Sequence, residues 1–267
     1  MKHIIFYLLF AGYTCAGQNQ SQLTIIGNVH YPSLVYNADT LYAILNQLKP
    51  DIILLELDSV AFTKIFKQQH PTKENEPVAA LRYISQYPGV ITAPFEFEGR
   101  DNYRKEKGIR QASGQVDKLL DSLYKNKLLL KKQQDIISKY YELTDTLNTY
   151  TLKTVTEFNN SRTDSLCRIR QYYQHVAVRK VVNQRKEFAQ QFVMTSLHER
   201  VSLREAYNRL CDFWDLRNQT MAKNILKTAI QYPGKKIVVL TGFFHRYYLL
   251  EEMKAVKTSI VVEAFRK

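Results

Sequence analysis

Three stretches of this chain are uninterrupted apolar runs that stop at a titratable residue: LTIIGNVH (residues 23–30), DIILLELD (51–58) and KKIVVLTGFFH (235–245). A strand with one wet face alternates polar and apolar side chains. A run without alternation belongs to a strand covered on both faces, as in a parallel sheet with helices on either side. Between the first two runs, Asn37 or Asp39 offers a helix N-cap, Leu41, Ile44, Leu45 and Leu48 fall on one helical face, and Pro50 ends the helix. Strand, helix, strand is the unit of a parallel sheet with a right-handed crossover. A helix is expected over 78–86, a third strand in GVITAPFEFEG (89–99), a helix in RYYLLEEMKAV (246–256) and a last strand in SIVVEAF (259–265). The expected fold class is therefore α/β, a mainly parallel sheet flanked by helices.

The middle of the chain reads differently. Residues 103–200 hold few glycines or prolines, and Val116, Leu119, Leu120 and Leu123 recur at helical spacing, as do Ile169, Tyr172, Tyr173 and Val176. This is a long helical insertion within one α/β domain spanning 18–267, and its His175 and His198 read as surface or interhelical histidines. Residues 204–231 are helical too, in two pieces, up to the break at Pro233 and Gly234. The opening residues 1–17 have the form of a signal peptide: Lys2, a short apolar run, then small residues at Thr14, Ala16 and Gly17. Export to the periplasm or medium follows, with a lipid anchor at Cys15 as the lesser reading, and no later stretch is apolar enough for a transmembrane helix. Cys167 and Cys211 are either joined or small buried apolar residues. The 38 Lys and Arg against 25 Asp and Glu give a net charge of +13. The basic residues are dispersed along the helical middle without a nucleic-acid motif, so no nucleic-acid partner is expected.

Candidate chemistry gathers at the ends of the apolar runs. Parallel strands bring their carboxyl ends to one sheet edge, where ligands of open α/β sheets bind. His30 follows one such end, Glu56 another and His245 a third. If the first two strands are adjacent, their backbones lie about 5 Å apart and His30 and Glu56 face one crevice. Two histidines and a glutamate suit a divalent metal. An ionised Glu56 in an apolar strand requires a partner, and Arg217 offers a cation to hold it or to stabilise an oxyanion. Glu96 approaches the same edge, with Glu98 and Arg100 as alternatives, and Met221, one turn after Arg217, reads as core. Gly27 and Gly242 each precede a histidine by three residues, where a glycine lets the chain turn off the strand or lets a ligand approach the backbone.

The set GNVH (27–30), LLELD with Glu56, RNQTMA with Arg217, Asn218 and Met221, and GFFH (242–245) resembles the TraB/GumN group of the TIKI-like superfamily, which includes erythromycin esterases and the ChaN haem-binding proteins. The resemblance covers residues 23–100 and 205–267 and leaves out the helical middle. It implies that both Gly-x-x-His motifs, Glu56 and Arg217 line one pocket. It further implies a hydrolase cleaving a peptide or amide bond, with catalytic His30, Glu56, Arg217 and His245, and with His30, Glu56 and His245 holding manganese, cobalt or zinc. A metal-free form, with a histidine as base oriented by Glu56, stays open, as does a non-enzymatic protein binding haem or another ligand. Glu96, Asn218 and Tyr247 are the expected substrate contacts. The chain departs from the family where Tyr247 and Tyr248 stand in place of a glycine shortly after the second histidine, and the expected consequence is either a narrower pocket or an altered specificity.

Overall fold

The computed structural model describes residues 20–255, 260–263 and 265. The signal-peptide reading of residues 1–17, with Cys15, lies outside the described residues.

Five strands form one parallel sheet in the order β3-β2-β6-β1-β7, from β1 (Ser21–Asn28), β2 (Ile52–Leu55), β3 (Ile91–Pro94), β6 (Lys236–Gly242) and β7 (Ile260–Glu263). Both faces are covered, as the unbroken apolar runs require. Ile26, Ile53, Leu55, Val238 and Leu240 pack on helices α1 (Ala38–Leu48) and α3 (Asn75–Gln86) and on Val155 and Phe158. Leu23, Ile25, Ile52, Leu54, Ile237 and Val239 pack on the other side, against Met221, Ala222, Ile225 and Ala229 of helix α11 (Leu203–Gln231) and Leu249 and Met253 of helix α12 (Phe243–Ala255). Asn37 is the N-cap of α1, accepting from the Thr40 N–H.

One expectation about the sheet is corrected. β1 and β2 are not neighbours, because β6 runs between them. The late strand takes the central place, so the site is assembled only when residues near 240 pair with both early strands.

The middle is a helical arm with its own core. It comprises α4 (Arg100–Glu106), α5 (Ile109–Lys125), α6 (Lys131–Asn148), α7 (Val155–Phe158), α8 (Ser161–Tyr172), α9 (Arg179–Gln184) and α10 (Lys186–Gln190); a short helix, α2 (Ser59–Phe62), follows β2. Val116, Leu120, Leu123, Ile137, Val181, Val182 and Phe188 close that core with Leu203, Ala206, Tyr207 and Cys211 of α11. A two-stranded antiparallel hairpin, β4 (Phe192–Met194) with β5 (Arg200–Ser202), interrupts the helices. Its three-residue strands are too short to show a period of two, so they read as more helix.

α11 joins the two parts. It is one unbroken helix of 29 residues, about 43 Å long, rather than two pieces. Ser202 caps its start by accepting from the Glu205 N–H, no Gly or Pro interrupts it, and it stops just before Pro233. Its first half belongs to the arm's core and its second half to the sheet. Cys167 and Cys211 are buried free thiols in different cores, and burial pushes each thiol up to about 12. Among the described residues no helix is long and apolar enough to cross a membrane.

Candidate functional site

The carboxyl ends of β1, β2 and β6 converge, and the convergence depends on two missing side chains. Asn28 of β1 lies opposite Gly242 of β6. A Cβ on Gly242 would stand 3.0 Å from His30 Nε2 and 3.7 Å from Glu56 Oε2. The His30 ring and the Glu56 carboxylate thus reach towards each other across the end of the intervening strand because that strand ends in glycine. A Cβ on Gly27 would stand 2.9 Å from the Cα of Phe243. Gly27 lets the first turn of α12 settle onto β1. Neither glycine has a positive φ. Their role is close approach to a neighbouring element, not the sharp turn or ligand contact expected from sequence.

Glu56 follows β2 directly, and its side chain is 6% exposed. Oε2 accepts from the Thr241 hydroxyl (2.6 Å) and the Gly242 N–H (2.7 Å), and Oε1 accepts from Arg217 Nη2 at 2.5 Å. Burial works against the anion. The Arg217 and His30 charges, with the Thr241 hydrogen bond, outweigh it and hold the carboxyl well below the usual range.

Arg217 comes from α11 and threads between the acids. Nε donates to both oxygens of Glu96 (2.9 and 3.1 Å), Nη2 also meets Glu96, and Nη1 donates to His245 Nε2 at 2.8 Å. Of the five guanidinium N–H donors, four are committed. Glu96, 2% exposed in its side chain, also accepts from Arg100 Nη1 at 3.1 Å.

His245 stands in the first turn of α12, buried, with both ring nitrogens engaged. Asn218 Nδ2 donates to the Trp214 carbonyl at 2.7 Å, which turns its Oδ1 to His245 Nδ1, also at 2.7 Å. An amide oxygen only accepts, so Nδ1 carries the hydrogen and Nε2 is the acceptor for Arg217. Burial and the Arg217 charge push this imidazole down to about 3, so it is neutral. Its ring stacks on Trp214 at 4.6 Å, and Trp214 stacks on His175 at 5.2 Å.

His30 is the opposite case. It lies in the loop after β1, with its side chain 43% exposed. Its Nδ1 is 2.8 Å from Glu76 Oε1, and Glu76, 4% exposed, sits in the first turn of α3. The same helix start holds the loop backbone: Asn75 N donates to the His30 carbonyl and Asn75 Nδ2 to the Val29 carbonyl, both at 2.7 Å. Burial lowers the His30 pKa, but the Glu76 hydrogen bond and the charges of Glu76, Glu56 and Glu74 outweigh it and raise it to about 9. Nε2 accepts and donates nothing within the described chain. Nε2 lies over Gly242, and His30 lines a cleft of about 450 Å³ together with Tyr31, Glu56, Ala61, Ile65, Thr72 and Arg100. A small recess of about 10 Å³, room for one water, is lined by His30, Glu56, Glu74 and Glu76 with Leu55, Leu57, Pro77 and Leu240, and Glu76 Oε2 has no protein partner among the described residues.

Of the residues expected from sequence, Glu56, Glu96, Arg217, Asn218 and His245 form one hydrogen-bonded cluster, and His30 adjoins it by lining the same cavities as Glu56. Tyr247 does not join it. It is buried, and it lines a separate cavity with His175 and Trp214. Met221 is core, as expected. The expected metal set does not fit the arrangement: the single lone pair of His245, on Nε2, accepts from Arg217, Glu56 already accepts from Arg217, Thr241 and Gly242, and the guanidinium bridges the two side chains, whose Nε2 and Oε1 stand 3.7 Å apart. Of the three nitrogen and oxygen ligands expected, His30 is the one with a ring nitrogen, Nε2, that has no hydrogen-bond partner among the described residues. Among the described residues no group of three or more His, Cys, Asp or Glu is placed to hold a metal ion. Sequence reasoning missed Glu76. Its only signal was a charge opening the helix over 78–86, where an acid ordinarily serves the helix dipole. His175, set aside as interhelical, is one ring away from His245. A scan of protein families, a search of characterised proteins and a search of solved structures each find no match to this chain.

Proposed function

We propose that this protein is an exported hydrolase of the TraB/GumN type that acts on a peptide or amide bond without a metal, with His30 as its general base. The observation that carries the reading is the Glu76–His30 pair: a buried carboxylate holds Nδ1, Nε2 has no hydrogen-bond partner among the described residues, and His30 lines a cleft together with Glu56. A buried acid on one ring nitrogen orients the imidazole and stabilises it when protonated.

In this reading His30 Nε2 takes the proton of a water held between it, Glu56 and Glu74, and that water attacks the carbonyl in the cleft. The imidazolium then returns the proton to the leaving amine. Arg100, which lines the cleft, faces the developing oxyanion. Arg217 has its donors committed to Glu56, Glu96 and His245, so it positions Glu56. His245 and Asn218 act through Arg217 as positioning residues. A base with a pKa of about 9 is neutral in only about 1% of molecules at pH 7. The rate therefore rises about tenfold per pH unit up to about 9.

The test is cleavage of a peptide library and of chromogenic anilides, with and without EDTA and added manganese, from pH 6 to 10. Expected are cleavage that survives EDTA, a basic pH optimum, and a loss of ~10²–10⁴ in His30→Ala with an unchanged melting curve. Full activity in folded His30→Ala would place the chemistry elsewhere. Activity that appears only with manganese or cobalt would restore the metal reading, and a haem absorbance band lost in His30→Ala without any cleavage would replace the enzyme with a binding protein.

A further inference from the structure

Beside the cleft lies a second cavity of about 200 Å³, lined by Arg100, Arg104, Leu210, Phe213, Trp214 and Arg217. Three arginines line it and no acidic residue does. The arginines are not equivalent. Arg217 is wrapped by Glu56 and Glu96, and Arg100 is paired with Glu96 and with Asp101 at 3.5 Å. Arg104 has no hydrogen-bond or ion-pair partner among the described residues. It is half-buried on α4 and crowded by like charge from Arg100, Arg217 and Arg110, with Asp101 as the acid that offsets them in part. An unpaired, partly desolvated cation costs stability unless a ligand pairs with it. A guanidinium fork matches a carboxylate or a phosphate bidentately.

The rest of the lining, Leu210, Phe213 and Trp214, is apolar and mostly aromatic. Phe213 stacks on Tyr103 at 4.8 Å and packs edge-on to Phe97 at 5.2 Å, so its ring is fixed, and Trp214 is fixed by its stack on His245. The volume is large enough for a small organic fragment and not only for one water. Arg100 lines both this cavity and the His30 cleft.

We propose that this cavity is a binding subsite for an oxyanion, a carboxylate or phosphate, carried on a flat apolar group, and that Arg104 is its main determinant. The link to catalysis rests on the hydrolase reading: a substrate spanning both cavities presents its reacting bond to His30 and an acidic group to Arg104. The subsite itself does not depend on hydrolysis.

Trp214 is the chain's single tryptophan and lies in the cavity wall, so its fluorescence reports occupancy directly. The full chain is titrated with benzoate, phenyl phosphate, inorganic phosphate and the neutral benzamide. Benzoate or phenyl phosphate is expected to give a saturable change that benzamide does not, and the tighter of the two identifies the oxyanion. In Arg104→Leu the dissociation constant rises about tenfold or more, and Arg104→Lys retains part of the affinity. His30→Ala binds as the wild type does. Benzamide binding as tightly as benzoate, or a folded Arg104→Leu with unchanged affinity, overturns the subsite. Binding without any cleavage removes only the hydrolase reading, and His30-dependent cleavage without binding removes only the subsite.

Discussion

The two Gly-x-x-His motifs have the same spacing, follow neighbouring strands of one sheet, and end in different chemistry. His30 is nearly half exposed, bonded on one nitrogen to an acid and raised to about 9. His245 is buried, bonded on both nitrogens and lowered to about 3. What separates them is the element that follows the strand. After β1 the chain continues as a loop, so the ring hangs at the edge and α3 supplies Glu76 to it. After β6 the helix begins at once, so the ring is carried inward, onto Trp214 and Arg217. The glycines cross over: Gly242, of the second motif, makes room for His30, and Gly27, of the first, makes room for the helix that carries His245. Each motif is therefore a support for the other, and similar sequence does not mean similar duty.

The largest effect on stability is expected in the buried cluster that anchors His245. Arg217→Met leaves Glu56 and Glu96 buried without their main cation, at a cost of ~3–5 kcal/mol, measured by urea unfolding. A loss under 1 kcal/mol would mean that the acids are not held by Arg217.

The crossed glycines give a sharper contrast. In Gly27→Ala the new methyl meets the backbone of Phe243, which cannot swing away, so stability falls by ~1–3 kcal/mol. In Gly242→Ala it meets the far end of the His30 ring, which can. Stability then changes little, but displacement of His30 by about 1 Å lowers kcat/KM by ~10²-fold. Equal losses of stability in both variants would break the division of labour.

Acidity separates the motifs in opposite senses. The raised pKa of His30 contributes stability that is fully present below about 6.5, the unfolded value, and is lost as pH rises through about 9. The depressed pKa of His245 contributes stability present above 6.5 and lost as pH falls from there towards about 3. Thermal melts from pH 4 to 10 should decline on both sides. His30→Gln removes the alkaline decline alone, and an unaltered alkaline limb would contradict the assignment.

The smallest effect is expected at His175. Both its ring nitrogens are buried without partners, and burial, with Arg170 and Arg179, lowers its pKa to about 3. His175→Phe keeps the stack on Trp214 and removes two unsatisfied polar atoms, so stability holds within ~1 kcal/mol or rises. A loss of several kcal/mol would show that a nitrogen of His175 is in use.

Much of the sheet was legible because strands buried on both faces write themselves as unbroken apolar runs, and β1, β2 and β6 did so. Strand order was not, since no local pattern says that a strand at 236–242 inserts between two that pair by proximity in sequence. Glu56, Arg217 and His245 were legible as a cluster, because charged groups ending apolar strands need partners. Their mutual bonding was hidden: a carboxylate and an imidazole that look like metal ligands in one dimension are saturated by a guanidinium in three. Glu76 was hidden because its partner lies 46 residues earlier, and an acid opening a helix has an ordinary explanation.

The account rests on His30 and His245 differing in protonation, and histidine NMR measures that directly. Cε1–H and ring-nitrogen shifts of the full chain, assigned with His30→Gln, are followed from pH 4 to 10 in the wild type and in Glu76→Gln. The account predicts that His30 titrates near 9 and falls markedly in Glu76→Gln, while His245 stays a neutral Nδ1–H tautomer throughout. A His30 that titrates at or below 6.5, or a His245 that titrates alongside it, would contradict the account.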